Sequence, residues 1–264
     1  MRPSPELYLT ALHDESARFA EAVALAPSGA VVPTCPDWSA DDLLWHLTEV
    51  QRFWAEVVRT RPAEPVEAAG TRPEGRTALL AAFTEASAAL RRELQDADPG
   101  EPAWSWAAEQ TVGFTLRRQA HEALIHRVDA ELTAGLPVTE PHPALADDGV
   151  AEALDVMYGG LPPAGIDFTP VCGVVAVHLT DTGTTWWTQP GSLSGVRADG
   201  RDLSGPHVLL LDPREPLDAV AAISGPASVV DRWLWKRLPD DAVRRTGDPD
   251  AIAAFEAAVR PAIE

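Results

Sequence analysis

The chain has 264 residues, 45% of them hydrophobic, which is enough for two cores or one large one without covalent staples. Its 40 acidic against 21 basic side chains leave a formal charge of −19, which repels nucleic-acid phosphates and anionic lipid and excludes both as expected partners. No apolar run approaches the ~20 residues of a membrane span, residues 1–12 lack the apolar stretch of a secretory signal, and Cys35 and Cys172 lie far apart, so a cytoplasmic protein with reduced thiols is expected.

The first half is written in helix period. Residues 7–25 gather Leu9, Leu12, Ala20 and Val23 on one broad face, and Pro27-Ser28-Gly29 stops that helix. A second helix opens after Ser39, a natural N-cap, with Asp41 and Asp42 in its first turn, and runs to about Arg59. Its apolar stripe is Leu43, Leu47, Val50, Trp54 and Val57, and His46 projects beside it. Residues 61–74 form a Pro- and Gly-rich connection, residues 77–94 a third helix, and residues 116–134 a fourth that ends at Gly135. Four such helices suggest a four-helix bundle.

The second half changes style. Residues 171–179, 185–188 and 208–211 are short β-rich runs bounded by Gly, Pro and Asp, and helical patterns return at residues 227–237 and 249–259. The expected fold is therefore α+β: a helical bundle over residues 1–160 and a smaller α/β layer domain over 161–264, joined by a Pro-Pro linker near Leu161 to Ile166.

The segment His121-Glu122-Ala123-Leu124-Ile125-His126-Arg127-Val128-Asp129 carries the most chemistry. His121 and His126 are five apart, roughly 140° around a helix, and cannot easily share an ion. Glu122 and His126 are four apart, within about 40° on one face, and can close on one cation. A third ligand from another helix, with His46 the candidate, would complete a two-histidine, one-carboxylate set with an open coordination position, the pattern of catalytic zinc. The same spacings also suit a surface Glu–His pair and a satisfied core histidine. Asp129, three residues past His126, is placed either to orient that imidazole or to sit solvated on the surface. Nothing near Cys35 or Cys172 in sequence lowers a thiol pKa, so neither is an expected nucleophile.

Several motifs resemble one family in order along the chain. Val32-Pro33-Thr34-Cys35-Pro36-Asp37-Trp38-Ser39 with Asp42-Leu43-Leu44-Trp45-His46-Leu47, then His121 to Glu131, then Ala146-Asp147-Asp148-Gly149-Val150-Ala151-Glu152, resemble the signatures of the mycothiol-dependent maleylpyruvate isomerases, within the DinB-like superfamily of metal-binding helical bundles. His178-Leu179-Thr180-Asp181, Gly225-Pro226-Ala227 and Leu234-Trp235-Lys236-Arg237 resemble that family's C-terminal domain. The resemblance implies zinc on His46, Glu122 and His126, mycothiol as co-substrate, and substrate binding by Arg237. It implies a metal-activated thiolate that adds to a small electrophile, leaving after bond rotation (an isomerase) or staying attached (an S-transferase). Two readings compete: a thiol-independent metal enzyme of hydrolysis or rearrangement, and a non-catalytic bundle binding a small molecule or protein. Two histidines and a carboxylate also suit iron(II), so zinc rests on the resemblance. Trp45, just before His46, departs from the family pattern; Trp38, Trp45 and Trp54 either pack the core or line a pocket for a substrate more apolar than a small diacid. The Pro-, Ala- and Arg-rich, Tyr-poor composition points to an actinobacterial source.

Overall fold

The computed structural model describes residues 2–61, 64, 70–197, 200–212 and 216–261. The chain is α+β and divides into two compact units, Met1–Leu145 and Ala146–Glu264. This division falls earlier than the linker near Leu161, because side chains before that linker bond within the second unit: Asp147 accepts from Trp186 Nε1 at 3.1 Å and from the Thr184 hydroxyl, and the Tyr158 hydroxyl donates to the Leu234 carbonyl.

In the first unit, helix α1 (Pro5–Leu25) starts at Ser4, whose hydroxyl accepts from the Leu7 amide, with Pro5 pre-set in the first turn. A short antiparallel pair, β1 (Val31–Val32) and β2 (Cys35–Ser39), delivers the chain into α2 (Ala40–Thr60). Ser39 and Asp42 close a capping box there: the hydroxyl takes the Asp42 amide and the Asp42 carboxylate takes the Ser39 amide. Burial slightly opposes the Asp42 charge, but the Ser39 bonds and Arg72 hold its carboxyl down to about 2. Most of the connection before α3 (Arg76–Asp96) lies outside the described residues. Helix α4 (Val112–Thr133) begins four residues before its expected start, because Thr111 caps it and Val112 and Phe114 are buried; Gly135 follows with φ +68°, the left-handed stop anticipated there.

Helix α1 lies along α4 and α2 along α3, with further contacts between α1 and α3 and between α2 and α4. Phe19, Val23, Leu43, Leu44, Leu47, Leu79 and Phe83 fill the space between them, and Ala130 brings α4 in close. Phe19 and Phe83 meet with ring centroids 5.0 Å apart, each burial contributing roughly 1.5–3 kcal/mol. No described helix is long and apolar enough to cross a membrane.

The second unit opens with α5 (Pro143–Glu152), which straddles the division and continues as a π-helical turn, Ala153–Met157; the sequence assigned no element here. A six-stranded mixed sheet follows: β3 (Ile166–Pro170), β4 (Val175–Leu179), β5 (Thr185–Val196), β6 (Asp202–Leu211), β7 (Ala221–Gly225) and β8 (Arg244–Gly247). The long β5 pairs with β4 at its start, with β3 at its end and with β6 along its length; only β4 and β7 run parallel. β4 is shorter than the expected run from 171, since Val171 is exposed and the buried Val175, Ala176 and Val177 begin the ladder. Helix α6 (Ala227–Leu234) stops three residues before its expected end; Lys236 takes φ +62°. Helix α7 (Pro249–Ala258) packs on the sheet, with Phe255 stacked on Trp233.

Candidate metal centre

Helix α4 is buried nearly all round, so its polar residues face protein rather than water. Glu122 and His126, one turn apart on it, meet His46 from α2: one ligand atom from each residue lies within 4.8 Å of the other two. It is the only such three-residue group of potential ligands among the described residues. Glu122 Oε1 stands 3.1 Å from His126 Nε2 and 3.5 Å from His46 Nε2. The two rings approach edge to face with centroids 4.9 Å apart.

Two of the three members are held from behind. Arg118, one turn before Glu122, donates Nη2 to Glu122 Oε2 at 2.7 Å. Asp129 is fully buried, not solvated; its Oδ2 lies 3.0 Å from His126 Nδ1, and its Oδ1 accepts from the Thr34 hydroxyl at 2.6 Å. That arrangement keeps a proton on Nδ1 for Asp129 and turns Nε2 toward Glu122 and His46. Trp38 covers the site, its ring 4.6 Å from that of His46 and 6.4 Å from that of His126.

The electrostatics favour positive charge at the centre. Burial disfavours ionising Glu122, but Arg118 and His126 outweigh it and hold the carboxyl well below its usual range. Burial likewise disfavours a charged His126, yet Glu122 and Asp129 push it up to about 9. The donor set fits a divalent ion on a further observation: His46 Nε2 is shielded from solvent with no hydrogen-bond partner among the described residues, the state of a nitrogen kept for a ligand bond.

The remaining expected residues fall out as follows. His121 turns its ring edge-on to Tyr8 of α1. Trp45 belongs to the core cluster beneath α2, with Arg52 over its ring, and Trp54 joins Phe53, Trp104 and Phe114 in an aromatic group. Of the three indoles, Trp38 is the one that stands against the metal-ligand candidates, so a pocket lined by all three is corrected to a single indole beside His46. Arg237 belongs to the second unit, past the end of α6 rather than in it, buried, with Nη1 donating to the Trp235 carbonyl at 2.6 Å. Sequence reasoning missed Arg118 and Thr34. The i,i+4 spacing of Arg118 to Glu122 was a usable signal; Thr34, in the turn between β1 and β2, offered none.

Residues 9–131 match the family model described as the mycothiol maleylpyruvate isomerase N-terminal domain, a span that contains His46, Glu122, His126 and Asp129. Two solved structures resemble the chain at TM-score 0.60: the mycothiol-dependent maleylpyruvate isomerase at 14% identity and a histidine-to-alanine mutant of that isomerase at 13%. Each likeness covers 93% of this chain and 95% of the other, and at such identities it is a likeness of fold. No curated protein matches the chain.

Proposed function

We propose that this chain, whose residues 9–131 match the mycothiol maleylpyruvate isomerase N-terminal domain model, is a mycothiol-dependent isomerase that holds a divalent metal on His46, Glu122 and His126. The observation that carries the reading is the convergence of three ligand atoms within 4.8 Å, with His46 Nε2 shielded from solvent and 3.5 Å from Glu122 Oε1. The metal identity, zinc, and a DinB-like four-helix bundle follow from the family resemblance. An ion bound there would supply a Lewis acid that lowers the pKa of a coordinated thiol, so that a nucleophile forms at neutral pH.

The chain's own residues do the rest. Asp129 keeps a proton on His126 Nδ1, so Nε2 is the nitrogen that would give up its proton to a bound ion; Thr34 fixes Asp129 in turn. Arg118 restrains one Glu122 oxygen and leaves Oε1 toward the histidines. Trp38 gives the site one apolar wall, which strengthens charge interactions at the ion by excluding water. Thiolate addition to a cis double bond conjugated with a carbonyl, rotation about the resulting single bond and expulsion of the same thiolate would return the trans product with no net oxidation and the thiol recovered. Arg237, by the same resemblance, would bind a substrate carboxylate.

The test is metal analysis together with turnover. Purified protein with about one equivalent of metal, forming trans product from maleylpyruvate only when mycothiol is present and losing that activity in His126→Ala, is the expected result. Equal rates in wild type and His126→Ala would remove the cluster from the chemistry, and turnover without thiol would make the chain a thiol-independent metal enzyme.

A further inference from the structure

Because α4 is enclosed by protein, each polar side chain on it needs a partner, and most have one: Arg118 has Glu122, His126 has Asp129, and Arg127 has Glu15 and Glu131. Two do not. Both amide atoms of Gln119, and the hydroxyl of Thr115, are shielded from solvent without a hydrogen-bond partner among the described residues. Gln119 is 1% exposed and Thr115 0%. Thr48, Thr84 and Thr133 each return their hydroxyl to the carbonyl four residues back, the usual refuge of a helical threonine; Thr115 forgoes that bond.

The positions of the two residues give these orphan groups a direction. Residues 115, 119, 122 and 126 are spaced by four, three and four, so Thr115 and Gln119 continue the face of α4 that bears Glu122 and His126. Gln119 lies one turn, about 4.5 Å of helix rise, before Glu122. A carboxamide offers one acceptor and a donor pair side by side. A carboxylate set against it would satisfy Nε2 and leave Oε1 facing another acceptor, whereas a secondary amide, with its own N–H and C=O, satisfies both ends.

We propose that Gln119, backed by Thr115, is the subsite that binds an amide of the thiol co-substrate beside the His46–Glu122–His126 cluster. The inference rests on the thiol-dependent reading above. Mycothiol carries its sulfur on an N-acylated cysteinyl group, so amides flank the thiol on either side, and a sulfur about 2.3 Å from an ion at the cluster brings an amide toward the next turn of α4. Gln119 therefore sets which thiol is used and leaves the electrophile to other residues.

Calorimetry on the zinc-loaded full chain tests this with two probes: mycothiol, and its analogue with alanyl in place of cysteinyl, which keeps the amides and cannot ligate metal. Gln119→Met keeps the side-chain length and removes the polar ends, and Thr115→Val is the second variant. Gln119→Met is expected to keep its metal stoichiometry and to melt no lower than wild type. It should bind both probes roughly 10- to 100-fold more weakly, and raise the thiol KM while leaving the electrophile KM unchanged. Unchanged affinity for both probes in Gln119→Met and Thr115→Val overturns the subsite. Wild type binding both probes equally, with Gln119→Met weaker for both, upholds the subsite and removes the metal–thiol bond from the functional reading.

Discussion

Proton competition at His126 sets how tightly the cluster takes a metal. With no metal bound, Glu122 and Asp129 overcome burial and hold the His126 pKa near 9, so at pH 7 the ring carries a proton that a metal must displace. Two pH units of competition weaken apparent affinity about 100-fold relative to pH values above the titration. The sign is fixed: apparent affinity rises about tenfold per pH unit from pH 6 to about 8.5, then levels as the ring loses its proton unaided. Competition against a chromophoric chelator from pH 6 to 9 measures the slope. Calorimetry at pH 7 in two buffers of different ionisation enthalpy counts the proton released, and about one is expected. A flat affinity between pH 6 and 8, or release of less than about half a proton, would refute the argued charge balance of the site.

Asp129→Asn removes the negative charge beside His126 Nδ1 and leaves one amide oxygen to serve both that nitrogen and the Thr34 hydroxyl; it should cost about 10- to 100-fold in metal affinity, read by the same competition. Arg127→Met strips Glu15, Glu131 and the Thr139 carbonyl of a buried guanidinium; we expect about 3–5 kcal/mol of destabilisation in urea unfolding. Ser39→Ala removes the hydroxyl half of the α2 capping box and should cost about 1 kcal/mol. Because the Asp42 carboxyl is depressed to about 2, its stabilising effect is present above the unfolded value of 3.8 and is lost as pH falls through about 2; Asp42→Asn should therefore be less stable than wild type at pH 6, with the difference shrinking steadily as pH falls from about 4 through about 2. Gly159→Ala would drive a methyl to 2.2 Å from the Leu154 carbonyl oxygen and 2.5 Å from that of Val208, and should lower stability by about 1–3 kcal/mol.

Local chemistry made much of the chain legible. The Ser39 start of α2, the Gly135 stop of α4, and the Glu122/His126 pair each depend on residues within one turn of each other, so spacing alone carries them. Where the reading fell short, longer range decided. Helix α4 extends back to Val112 because tertiary burial recruits its first turn, and α5 was unassigned because its short Ala- and Asp-containing run has a weak periodic pattern. β3, β7 and β8 are too short to announce themselves and exist as partners of β5, β4 and β7.

What the sequence by itself determined is the helices α1 to α4, α6 and α7, the α+β class and the two ligand candidates that share one helix face. Only the tertiary structure decided that His46 of α2 reaches that face, that Trp38 rather than Trp45 stands beside it, and that Thr34 and Asp129 brace it. The physical reason is that a helix fixes the angles among its own side chains through its backbone, while the meeting of two helices is fixed by how their buried faces pack, which no local spacing encodes.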